Sequence, residues 1–262
     1  MRSIAGRRAV LAASAATLAL LVTACGGSSD EGDKGDGGDA KGGATAAAPA
    51  AAKTLSAAEL DKVALAQADV KSGKVSTKVA ATDDVTEDQV KTDDAACLPL
   101  VHAQAGIAQG EPAASVKRSW QGETETPSED MDPEEAAMVT INVDKILLNL
   151  ASYESGGAEQ AVKDLDTAAE KCAGGFTATV ADEQVQVTKV TTDTAAGGGD
   201  ESVAYTLKVA VDEGVEAPMK IVVVRKGATV AAFSAVNLSS MATGKDFDVP
   251  ADVVDAQVAK LG

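Results

Sequence analysis

The sequence predicts an α+β domain with an antiparallel sheet, set behind a long segment that cannot fold. Three observations point there. Ala158, Ala161, Val162, Leu165, Ala168, Ala169 and Cys172 recur at three- and four-residue spacing, which places them on one face of a helix. The last third is strand-rich: Val203, Tyr205, Leu207, Val209 and Val211 alternate, and Met219 to Val224 is continuously apolar. Only six of the 262 residues are aromatic, so the core must be built from Val, Ala, Leu and Ile. Small side chains bury little area each, and a covalent crosslink is expected to support them.

The chain opens with Arg2, Arg7 and Arg8, then an apolar stretch from Ala9 to Leu21, then Val22-Thr23-Ala24-Cys25. A basic start, a short apolar run and small residues before a cleavage point are the parts of a secretory signal. The run is shorter than the roughly 20 residues that a membrane-spanning helix needs. Cys25 at the junction supplies a thiol for a diacylglycerol, so residues 1–24 read as a lipoprotein signal peptide, with palmitate on the mature N-terminus. An ordinary signal peptide with an incidental cysteine is the alternative. Arg7-Arg8-Ala9-Val10-Leu11 also loosely fits a twin-arginine signal, and the general secretory and twin-arginine routes both stay open.

Loss of residues 1–24 removes three arginines and no acid, taking the formal charge from −17 to −20. With a pI near 4.4, nucleic acid is not expected as a partner, because phosphate binding needs clustered cations. An anionic bilayer would repel such a chain, so attachment to it falls to the lipid.

Residues 25–53 read as a disordered Gly/Asp/Ala-rich tether with no apolar face to offset its ordering entropy. Asp30, Asp33, Asp36 and Asp39 recur every third residue, which does not match the alternate-position ligands of a calcium loop. About 28 such residues reach roughly 30 Å as a random coil.

The folded domain is expected over 54–262. Ser56 with Glu59 forms a capping-box pattern ahead of Leu60, Val63 and Ala64. Val75, Thr77 and Val79 alternate as a strand, and Thr82 to Asp94 reads as an acidic loop. Pro99 fits only a first helical turn, so a helix starts near Cys97. Ser115 to Trp120 reads as a strand and Gly122 to Glu135 as a polar loop. Val139, Ile141 and Val143 then alternate, and Ile146, Leu148 and Leu150 continue out of phase, which suggests one strand with a bulge near Asp144-Lys145. For the helix of 158–172, Ser155 is the expected cap and Gly174-Gly175 the stop. Val185 and Val187 alternate. Arg225-Lys226-Gly227-Ala228 turns into a strand over Thr229 to Asn237. A final helix begins at Pro250, with Val254, Val258 and Leu261 on one face. No internal repeat and no further boundary is visible after Lys53.

Candidate chemistry is sparse. Cys97 and Cys172 are the thiols left once Cys25 is acylated, and an even pair in an oxidising compartment reads as a disulfide, with two free buried cysteines as the alternative. His102 is the only histidine; with no Gly-x-Ser-x-Gly elbow and no zinc-ligand spacing, it reads as an ordinary helix residue. Trp120 could stack on a sugar or simply pack in the core. Asp200-Glu201-Ser202 after three glycines reads as a loop rather than a phosphate cradle, since no lysine follows the glycines. Catalytic, metal and cofactor residues are therefore expected to be none.

The cysteine heading a helix, the Lys171-Cys172-Ala173-Gly174-Gly175-Phe176 helix end, the Gly199-Asp200-Glu201-Ser202 approach to a strand and the Val224-Arg225-Lys226-Gly227 hairpin recur together in one family. On them the chain resembles, over roughly Leu55 to Leu261, actinobacterial surface lipoproteins similar to the PknH-like extracellular sensor domain. The resemblance implies a twisted antiparallel sheet with helices packed on it, and a cleft for an unidentified ligand. That domain usually carries two disulfides, whereas this chain can form one, Cys97–Cys172. No ligand-contacting residue carries over.

The expectation is a single domain held by its lipid on the extracellular face of the cell membrane. It would act as a non-enzymatic, sensor-like binding protein for a small-molecule or protein ligand. A lipid or glycolipid carrier and a cell-wall hydrolase using carboxylates are the alternatives. An enzyme would show polar residues with shifted pKa converging in one pocket, and a carrier a large apolar cavity between sheet and helices.

Overall fold

The computed structural model describes residues 52–195, 197–212 and 214–261. The signal segment, Cys25 and the tether up to residue 51 lie outside the described residues.

Nine strands form one antiparallel sheet. They are β1 (Lys74–Ser76), β2 (Val90–Thr92), β3 (Ala114–Gln121), β4 (Asp144–Ser152), β5 (Phe176–Val180), β6 (Glu183–Asp193), β7 (Glu201–Asp212), β8 (Val215–Lys226) and β9 (Thr229–Asn237). Across the sheet their order is β1-β3-β4-β9-β8-β7-β6-β5-β2. The helices are α1 (Ala57–Val63), α2 (Leu98–Gln104), α3 (Pro133–Thr140), α4 (Gly157–Lys171), α5 (Leu238–Thr243) and α6 (Ala251–Ala259). The α+β class with an antiparallel sheet is thus as the sequence implies.

The apolar run in β8 is buried on both sides because the sheet is covered on both. Ile221 and Val223 join the core beneath α2 and α4, with Leu165, Tyr205 and Leu207. Val222 and Val224 join the opposite core, with Leu60 of α1, Val253 and Val254 of α6, and Phe233. Gln257 of α6 is fully buried and closes that second layer: its Oε1 accepts from Leu65 N at 2.7 Å, and its Nε2 donates to Val63 O at 2.9 Å. The last helix thereby satisfies the backbone at the end of the first.

Local signals act as their chemistry dictates at most ends. Ser56 and Glu59 form the reciprocal capping box of α1. Pro99 sits in the first turn of α2, behind a short 3-10 turn over Ala95–Cys97. Gly227 and Ala228 alone connect β8 to β9, where Lys226 pairs with Thr229.

Four expectations need correction. The alternation at Val139 and Ile141 is not strand: Pro133–Thr140 is α3, capped by Asp132, whose carboxylate accepts from Glu134 N and Glu135 N. An Asp-Pro-Glu-Glu start outweighs a two-residue alternation, and the phase shift is the change from helix to β4. Ser155 does not cap α4: its φ is 47°, and Gly156 at φ 81° is the N-cap residue. A side-chain cap needs extended backbone, which this left-handed pair lacks. The first strand stops at Ser76 rather than continuing to Val79, because Ser76 Oγ donates to Lys78 O and accepts from Lys78 N, turning the chain. Finally, the acidic stretch 82–94 is more than loop: it holds β2, which pairs with β5, and β5 itself followed no expected signal.

Candidate ligand groove

Strand register places one set of side chains in a row on the α2 face. Residues directly opposite each other in antiparallel strands share a face. Ser76 pairs with Ser119, Ser119 with Leu147, Leu147 with Ser234 and Ser234 with Ile221, which lies in the core beneath α2. One row further, Lys74 pairs with Gln121, Gln121 with Lys145 and Lys145 with Val236. Among the described residues, no helix beyond the end of α2 lines these two rows. They form the floor of an open groove of about 550 Å³, within the size range of small-molecule sites.

Two walls rise from this floor. The first is residues 78 to 85, which contribute Lys78, Ala80, Thr82, Asp83 and Val85. A tight turn shapes it, with Asp83 N and Asp84 N both donating to Ala80 O. It is pinned to the sheet by Lys117, whose ammonium donates to Val85 O and Asp84 Oδ1, each at 2.9 Å. The second wall is the end of α2, Gln104 and Ala105. Gly106, at φ 65°, lets the chain leave α2 directly against Leu147; a Cβ there would lie 2.4 Å from a Leu147 methyl. Buried Asn149 fixes the same corner by donating to Gly106 O at 3.2 Å.

The groove inverts the charge of the chain. The full sequence holds 40 acidic and 23 basic residues, yet the lining carries Lys74, Lys78 and Lys145 against Asp83 alone. Asp83 lies 3.8 Å from Lys145. Val85, Ala105, Leu147, Val180 and Met219 supply apolar surface between the lysines.

The residues singled out from sequence are elsewhere, with one exception. Cys97 and Cys172 are joined in a disulfide with Cα atoms 5.8 Å apart, tying the start of α2 to the end of α4. His102 is half-buried on α2; burial lowers its pKa, partly opposed by Glu87. Asp200 and Glu201 clamp the β8–β9 turn: Gly227 N donates to Asp200 Oδ2 at 2.7 Å, and Arg225 Nε to Glu201 Oε2 at 3.0 Å. That backbone bond, with Lys226 beside it, holds the Asp200 carboxyl below its ordinary value. Trp120 is the exception. Its strand runs along the groove, but its indole packs in the opposite core with Leu60 and Ile146, and its Nε1 donates to Ser72 O at 3.0 Å.

Groups with displaced pKa do not gather in the groove. Burial raises Tyr153, while burial and the hydrogen bond to Asp166 raise Tyr205. Glu59 falls to about 2 beside Lys53, and Asp69 is lowered by Lys260. None of these lines the groove. Among the described residues, no three His, Cys, Asp or Glu side chains are grouped to hold a metal ion.

Sequence reasoning missed Lys74, Lys78 and Lys145 as a set. The available signal was Lys74 and Lys145 in strands whose neighbours face the core, but with Lys78 of the wall they become a cluster only once β1, β3 and β4 are aligned.

No family model matches the chain, and no curated protein does. Among solved structures, the fold is similar to the extracellular domain of PknH from Mycobacterium tuberculosis, with a TM-score of 0.42 and 12% sequence identity over 80% of this chain and 95% of that one. A likeness that distant leaves function to be argued from the groove.

Proposed function

We propose that the chain is an extracellular lipoprotein, anchored through Cys25, whose domain binds a ligand in the groove without chemically altering it. The groove carries this reading: in an acidic chain it gathers three lysines over an apolar floor. The way the chain enters the domain supports it too. Leu55 N donates to Ser152 Oγ, and Thr54 Oγ1 donates to Tyr153 O, so the domain's first residues are fixed at the Ser152 end of β4. Lys145 stands at the other end, roughly 25 Å away at about 3.3 Å per residue. The chain thus enters the domain at the end of β4 remote from Lys145.

The alternatives fit less well. A hydrolase working through carboxylates needs two of them at a set separation, and the lining offers Asp83 alone. A second pocket, against α2 and β5 to β8, is about 10 Å³, space for no more than one water and too small for a lipid chain.

The test is retention of ligand. The purified full chain bearing Cys25→Ser is incubated with a total envelope lipid and metabolite extract, and bound molecules are identified by mass spectrometry. A species retained unaltered by this protein and lost when Ser119→Trp fills the groove is expected. Equal retention by the filled variant, or recovery of a cleaved product, would overturn the reading.

A further inference from the structure

We propose that the groove's ligand is an amphiphilic anion, with a phosphate or carboxylate head held by Lys74, Lys78 and Lys145 and an aliphatic body lying on Leu147, Val180 and Met219. This rests on the groove being a binding site and adds the chemistry of what binds.

The lysines are placed and free to take an anion. Lys74 and Lys145 share one row of the sheet, on either side of Gln121, which sets their backbones about 10 Å apart across two strand spacings. Lys78 comes over from the wall. Four lysines elsewhere in the domain are paired, Lys117 with Asp84 at 2.9 Å, Lys220 with Asp246 at 3.1 Å, Lys226 with Asp200 at 3.2 Å and Lys260 with Asp69 at 2.5 Å; other surface lysines, such as Lys163 and Lys189, carry no ion pair among the described residues, and what distinguishes the groove is that three lysines line one concavity. No carboxylate of the described residues lies within 4.0 Å of Lys74 or Lys78, and Lys145 meets Asp83 only at 3.8 Å. Three under-neutralised cations around one concavity focus a positive potential inside an otherwise negative surface.

The floor determines the rest of the molecule. Leu147, Val180 and Met219 are partly exposed, so an apolar segment laid over them would leave water, at about 25 cal/mol per Å² covered. A bare anion would leave that surface wet, and a neutral amphiphile would leave the lysines unanswered. A nucleic acid is disfavoured by the −17 charge of the chain and by a groove of about 550 Å³.

The full chain with Cys25→Ser is titrated, by isothermal calorimetry, with monomeric dodecyl phosphate, with dodecyl maltoside of equal tail, and with inorganic phosphate. Dodecyl phosphate is expected to bind saturably and at least about tenfold more tightly than either of the others, a tenfold ratio being about 1.4 kcal/mol. The triple variant Lys74→Gln/Lys78→Gln/Lys145→Gln should lose that preference and keep the maltoside affinity. Lys163→Gln on α4 should change nothing. These lysines are on the surface, and Lys78→Gln alone should show part of the loss if the triple variant folds poorly. Equal binding of phosphate and maltoside amphiphiles would overturn the anionic head while leaving the groove a binding site. Equal binding of inorganic phosphate would overturn the apolar body. Binding of none of the three would overturn the site itself. Cosedimentation with anionic vesicles without binding of the monomer would move recognition to a bilayer surface, and the proposal would fall.

Discussion

Lys117 Nζ donates to the backbone carbonyl of Val85 across 2.9 Å, joining a strand of the sheet to the segment that walls the groove. Asp84 accepts from the same ammonium. One side chain thus sets the distance between floor and wall, although it is not itself part of the lining.

Lys117→Met keeps the aliphatic stem and removes the ammonium. Hydrogen bonds to charged groups contribute about 1.5–3 kcal/mol, and partial exposure places this one near the lower end, so a loss of about 1–2 kcal/mol is expected in urea unfolding. Amide exchange should quicken over 80–85 and stay unchanged in β7 and β8. Unchanged exchange in the wall would show that something else holds it.

The Cys97–Cys172 bridge closes a separation of 75 residues, worth at most about 4.5 kcal/mol on the chain-entropy relation. In a core of small side chains that is a large share of the net stability. Reduction, or Cys172→Ala, should lower the thermal midpoint by about 9–18 °C at about 2–4 °C per kcal/mol for a domain of this size. A shift of only a few degrees would contradict that share.

Ala181 and Asp182 connect β5 to β6 with φ of 49° and 68°. A two-residue hairpin turn with both residues left-handed is the type that selects Asn and Gly. Alanine there is strained by about 1–2 kcal/mol. Ala181→Asn should therefore stabilise the domain by about 1 kcal/mol in chemical denaturation; a destabilisation would mean that the turn is held in another conformation.

Glu59 carries the acid sensitivity of the first helix. The hydrogen bond from Lys53 comes first among the causes that bring its pKa to about 2, with the Ser56 bonds next. A carboxyl depressed on folding contributes stability that is present above its ordinary value of 4.5 and is lost as pH falls toward 2. Lys53→Ala should raise the Glu59 titration midpoint, read by carboxyl carbon NMR, and Ser56→Ala should cost about 1 kcal/mol at neutral pH. An unmoved midpoint in Lys53→Ala would disprove the pairing.

Much of the fold was legible because its signals are local. The stripe of α4, the capping box of α1, Pro99 and the two-residue β8–β9 turn each involve residues within a few positions of one another. Ser155 failed for a related reason: its left-handed backbone is imposed by the route from β4 into α4, not by its own side chain. Val139 misled because alternation over three residues cannot outweigh a strong helix start at Asp132. The groove was not legible at all. Its lysines belong to an edge strand, a loop and an inner strand, and only register makes them neighbours. A formal charge of −17 averages over that reversal and hides it.

The most direct measurement is chemical-shift mapping on the isotope-labelled full chain with Cys25→Ser, using monomeric dodecyl phosphate as the probe. The groove account predicts saturable shifts concentrated at Lys74, Lys78, Ser119, Lys145, Leu147 and Ser234, with α6 and the β8–β9 turn unmoved. Shifts centred on any other surface, or no saturable shift at all, would contradict it.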